Sequence, residues 1–83
     1  MTRNEVLGLR VGDAVQFCWD MVPGARAHHM AKWSEPREVT SIFAQEVSSH
    51  HGKAYVCFYT QFGPHSTVSG SCREGEEYYR LAR

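Results

Sequence analysis

The sequence predicts a mostly β fold, a small five-stranded barrel, and two observations carry that expectation. Stretches 11–19, 37–47 and 53–62 alternate β-branched or aromatic residues with small or polar ones, which is the period of a strand with one buried face. Turn residues separate the stretches at short intervals: Gly12-Asp13, Pro23-Gly24, Gly63-Pro64 and Arg73-Glu74-Gly75.

Each element follows from its own residues. In the first stretch Val11, Val15, Phe17 and Trp19 fall on one face, and Ala14, Gln16 and Cys18 on the other. Pro23-Gly24 then marks a turn, and residues 25–32 form either a short helix or part of a long loop between the first and second strands. Stretch 37–47 reads two ways. As a helix it would align Val39, Ile42, Phe43 and Val47, with Ser34 as N-cap; as a strand it would place Val39, Phe43 and Val47 on one face and Thr40, Ile42 and Ala44 on the other. Its β-branched residues favour the strand. Residues 48–53 make a polar hairpin connection. The strongest strand is 53–62, with Ala54, Val56, Phe58 and Phe62 facing inward and Tyr55, Cys57 and Tyr59 outward. A Ser/Gly-rich strand over 66–72 turns Val68 inward, and 77–82 closes the chain with Tyr79 and Leu81 on one side and Tyr78 and Arg80 on the other. Val15, Phe17, Val56, Phe58, Val68 and Leu81 are the expected core.

At 83 residues the chain is expected to form one domain, 1–83. Leu, Ile, Val and Phe supply only 16 of the 83 residues, a share that signals disorder only when net charge is also high. Here 9 basic residues balance 9 acidic ones, and ten aromatic rings restore the missing apolar area. The neutral balance argues against a protein that holds nucleic acid through a basic field. No apolar run approaches the roughly 18 residues of a membrane span, and residues 1–5 lack an apolar signal core. Three cysteines, an odd number without a C-x-x-C pair, read as reduced thiols in a cytoplasmic protein.

The residues Leu9-Arg10-Val11-Gly12-Asp13-Ala14-Val15-Gln16-Phe17, then Val39-Thr40-Ser41-Ile42, then Gly52-Lys53-Ala54-Tyr55-Val56-Cys57-Phe58, resemble the opening of bacterial and phage SH3-like barrels. In those folds a G-D-x-V first strand leads into a long loop and a three-stranded meander. The resemblance covers most of the chain and implies a fold, with 77–82 as the short closing strand. It implies no function. The loop between Trp19 and Trp33 is longer and richer in His than a minimal barrel needs.

Catalytic and metal-binding constellations are sparse. Five histidines stand in the sequence, yet adjacent pairs (His28-His29, His50-His51) point in opposite directions on extended chain. A zinc site would have to gather His28, His50 and His65 from three loops, without the close ligand spacings zinc sites use. Solvated turn histidines are the preferred reading, with no metal and no cofactor; below a pH of about 6 they would carry the net charge from zero towards +5. Cys57 is set among aromatics in mid-strand, where a thiol is inert. Val68-Ser69-Gly70-Ser71-Cys72 lacks the first glycine of a nucleophile elbow, no phosphate-binding loop is present, and the carboxylates of Asp13, Asp20, Glu74, Glu76 and Glu77 lie in or beside turns.

Tyr55 and Tyr59, in register on the outward face of the strongest strand, are the more informative feature. With Trp33 and Tyr78 they form the candidate binding residues, of a composition favoured at protein interfaces. The expected function is therefore a non-enzymatic binding module acting on a protein partner or on itself as a homo-oligomer. Two other classes are weighed against it. One is a nucleic-acid-binding barrel that uses Arg with the same aromatics. The other is an oligomeric barrel with a ligand or catalytic cleft between subunits, where His28, His29 or His65 would move protons.

Overall fold

Five antiparallel strands run in the order β4-β3-β2-β1-β5. They belong to a computed structural model that describes residues 1–18 and 33–82. Helix α1 (Arg3–Gly8) is followed by β1 (Ala14–Phe17), β2 (Arg37–Val47), β3 (Ala54–Phe62), β4 (Ser66–Arg73) and β5 (Tyr79–Leu81). The mostly β, five-stranded expectation holds, and 37–47 is a strand. Trp19, the Pro23-Gly24 turn, the 25–32 segment and His28 and His29 lie outside the described residues. The sheet is not closed into a barrel: β4 pairs only with β3, and β5 only with β1, among the described residues. It curls nonetheless, because Tyr79 of β5 crosses to meet Phe58 of β3, ring centroids 5.2 Å apart.

β3 is the central strand and its alternation survives folding. Ala54, Val56, Phe58 and Thr60 are buried, while Tyr55, Cys57 and Tyr59 face outward. Phe62 keeps the inward parity but lies beyond the core and is 51 % exposed, contrary to expectation. β2 departs further from simple alternation. Its pairing with β3 slips between Val39 and Ser41 and again between Ile42 and Ala44. Each irregularity puts an extra residue into one strand and resets which side its neighbours face. Val39 and Phe43 therefore do not share a face: Val39 is fully buried and Phe43 is 60 % exposed, while Ile42 packs against the core.

β1 is shorter than the predicted 11–19 stretch. Gly12 adopts φ +98°, a conformation side chains rarely take, and Asp13 closes the bend by donating its N–H to the Arg10 carbonyl (3.0 Å) while its carboxylate accepts from the Arg10 N–H (2.9 Å). This turn leaves Val11 exposed instead of in the core.

The helix is the element that alternation did not foretell. Thr2 and Glu5 form a reciprocal capping box at its start. Six residues are too few to hold a helix alone, so packing must hold it. Val6 and Leu9 supply that packing: both enter the buried cluster with Val15, Val39, Ala54, Val56, Phe58 and Cys72. Gln45, on the inner side of β2, donates its amide to the carbonyls of Val6 (3.0 Å) and Leu9 (2.8 Å), which satisfies acceptors that the end of a helix leaves open. Of the expected core residues, Val15, Val56 and Phe58 are fully buried and Leu81 packs against them, but Phe17 and Val68 are only half-buried.

Candidate functional site

The register of the sheet sorts its side chains onto two sides, since residues paired across antiparallel strands point the same way. On the outer side of β2–β3–β4 lie Tyr55 with Glu46 and Arg73, Cys57 with Ala44 and Ser71, and Tyr59 with Ser41 and Ser69. The second slip in β2 adds Phe43 to this side, its ring 5.3 Å from that of Tyr59 and tilted by 42°. The centre of the outer face is thus two exposed rings in contact among small serines and alanine, with charges towards its ends, Glu46 and Arg73 beside Tyr55 and Glu38 at the start of β2. The Tyr55 hydroxyl donates to Glu46 Oε1 at 2.7 Å. That hydrogen bond, and the negative charge behind it, hold the phenol above its usual pKa.

The four residues expected to form one patch fall into two groups. Tyr55 and Tyr59 share the outer face of β3. Trp33 and Tyr78 gather instead beside Cys18, two strands away: Trp33 bridges to Cys18, and the Cys18 N–H donates to the Tyr78 carbonyl at 2.8 Å. The Trp33 ring carries the Arg80 guanidinium 4.2 Å above its centroid, and Arg80 Nε in turn donates to Gln16 Oε1 at 2.9 Å. Phe43 is the residue of the outer face that strand alternation misplaced.

The inner side is closed by α1 at one end and forms a cleft of about 220 Å³ at the other. Val15 and Phe17 of β1, Arg37 of β2, Thr60 of β3, Val68 and Ser69 of β4 and Tyr79 of β5 line it. It lies where β4 and β5, the two unpaired edges, approach one another. Pairing of Val15 with Arg37 puts that cation on the inner side, and its guanidinium rests 4.8 Å from the centroid of the Phe62 ring. Burial raises the Tyr79 hydroxyl above its usual pKa, against a smaller opposing effect from the Arg37 charge. The Arg37–Val15 proximity spans the long connection between β1 and β2, so no local pattern in the sequence announces it.

Other candidates are dispersed. His50 and His51 stand edge-on in the β2–β3 turn, where Ser48 Oγ contacts His51 Nδ1 at 3.0 Å, and His65 stands in the turn after β3. Nine residues of strand separate the two turns, about 30 Å at the usual rise per residue, so His50 and His65 do not converge on one ion. All three cysteines are free; Cys18 and Cys72 are buried and Cys57 is half-buried on the outer face. Desolvation pushes the Cys72 thiol up, away from the reactive thiolate form. No helix among the described residues is long and apolar enough to cross a membrane. Comparison with protein-family models, with curated proteins and with solved structures returned no match to this chain.

Proposed function

We propose that the protein is a non-enzymatic binding module whose outer β2–β3 face docks on protein, either a partner or a second copy of this chain. One observation carries the reading: Phe43 and Tyr59, 60 % and 39 % exposed, pack against each other at the centre of a sheet face whose neighbours are Ser41, Ala44 and Ser69. Aromatic rings framed by small uncharged residues are the composition of an interface core, and covering them would remove large apolar area from water. Tyr55, tied to Glu46, forms the polar rim of the same face.

A short first strand, a long connection, a three-stranded meander and a short closing strand support the SH3-like description of the fold, and three free cysteines support a cytoplasmic setting. A nucleic-acid reading draws on the arginines stacked on Phe62 and Trp33, but those guanidinium faces are already covered by the protein's own rings.

Sedimentation equilibrium over a concentration series, repeated with Phe43→Ser and Tyr59→Ser, tests the proposal together with capture of partners by the same three proteins. Association or capture that weakens in both variants, with unchanged circular dichroism, supports it. Wild type and variants that behave alike in both measurements remove it. Binding to mixed oligonucleotides that falls steeply with salt would favour the nucleic-acid alternative.

A further inference from the structure

We infer that the cleft at the Arg37 end of the sheet is a binding site for a small apolar monocarboxylate, either a free acid or the C-terminal carboxylate of a peptide. The cleft lies on the side of the sheet away from Phe43 and Tyr59, so this inference stands without the outer-face reading.

Size sets the first limit. A cavity of about 150 Å³ lined by apolar side chains accepts a benzene ring. The 220 Å³ here holds a body of that size with one short polar group, and falls below the roughly 300–1,000 Å³ of sites for larger ligands. The lining sets the second. Val15, Phe17, Val68 and the Tyr79 ring ask for an apolar body, while the hydroxyl of Thr60 and the cation of Arg37 mark a polar corner.

Charge sets the third. Arg37 is half-buried, and among the described residues no acidic side chain lines the cleft and no carboxylate pairs with it. The guanidinium carbon lies 4.8 Å from the Phe62 ring centroid, a cation–π contact that takes up none of its N–H donors in hydrogen bonds. A planar guanidinium presents those donors in a fork that matches the two oxygens of a carboxylate. A single cation in an apolar setting balances one negative charge, which disfavours a phosphate dianion.

The test is an NMR titration of the full chain with 4-methylpentanoate and phenylacetate, with their neutral amides, and with acetylated tripeptides ending in leucine as the free acid or the amide. The methyl signals of Val15 and Val68 report occupancy. Each carboxylate that binds should shift both valines saturably, and its amide should bind at least ten-fold more weakly. Arg37→Gln should lower carboxylate affinity at least ten-fold, and Val68→Phe, which fills the cleft, should abolish binding. A free acid that binds where the peptide acid does not identifies a small metabolite as the source; tighter binding of the peptide acid identifies a chain terminus. Equal binding of acids and amides, unchanged affinity in Arg37→Gln, or valine signals that no acid shifts would each overturn the site. Val68→Phe keeps the test decisive if Arg37→Gln does not fold.

Discussion

The two ends of the sheet's interior are finished by opposite means. At the α1 end, Val6 and Leu9 fill the space above Ala54 and Val56, and Gln45 satisfies the helix's last carbonyls. At the other end, among the described residues, Phe17 and Val68 stay half-buried, Phe62 is largely exposed, and a cation without a carboxylate partner stands at the mouth. The same five strands supply both ends, so among the described residues the difference lies in what packs over the strands. One end receives a capped helix with two large aliphatic side chains. Completeness of polar satisfaction follows the same division, since carbonyls removed from water must be paired while a guanidinium at a solvent-filled mouth need not be.

Truncation at each end should break or sharpen that contrast. Leu9→Ala opens a cavity in the closed end and should cost roughly 2–5 kcal/mol, read as a fall in the urea midpoint at constant slope. Val68→Ala, which enlarges a cleft water already reaches, should cost only about 1 kcal/mol. Equal losses would mean that the two ends are packed alike. An effect between these two is expected where the two unpaired edges meet. A methyl group on Gly70 of β4 would fall on the Tyr79 hydroxyl and press on the Phe58 ring. Gly70→Ala should therefore cost about 1–3 kcal/mol through overpacking, and near-ultraviolet circular dichroism should report the displaced tyrosine. A neutral result would show that the β4 and β5 edges are free to separate. Of similar size is Gln45→Ala, expected at about 1–3 kcal/mol, because the carbonyls of Val6 and Leu9, shielded from water, lose their donor.

What could be read from the sequence, and what could not, follows from the range of each interaction. The inward set Ala54, Val56 and Phe58 is encoded in two-residue alternation, and the turns around β3 in Gly and Pro, so that strand is legible. The outward turn of Phe43 is not legible, because a slip in pairing is decided by the partner strand and β2 alone carries no mark of it. The capping box Thr2–Glu5 is written locally, yet the burial of Val6 and Leu9 depends on Gln45 and β3, dozens of residues on. The shared face of Tyr55 and Tyr59 is legible, since parity within a strand is local. Their separation from Trp33 and Tyr78 required knowing that β1 lies between β2 and β5. Arg37 was invisible for the same reason: its role exists only once Val15 and Arg37 are opposite one another.

The smallest effect concerns the polar tie that fastens the closed end from outside. Glu74 Oε1 accepts from the Ala54 N–H at 2.7 Å and from Arg3 Nε at 2.9 Å, and Arg3 also donates to the Gly52 carbonyl at 2.6 Å, so one carboxylate joins the turn after β4 to the start of β3 and to α1. The Ala54 N–H, more than the Arg3 charge, holds the Glu74 carboxyl below its usual pKa. A carboxylate whose folded pKa is depressed stabilises the fold fully above its unfolded value, about 4.3, and loses that contribution as pH falls through the folded value. Thermal melts from pH 7 to pH 3 should therefore show wild type above Glu74→Gln by a margin that is greatest at neutral pH and closes with acidification. Because the group is solvent-accessible, added salt should narrow the Arg3 part of the margin and leave the Ala54 part. A margin that stays constant across the pH range would show that the charge of Glu74 contributes nothing to holding α1 on the sheet.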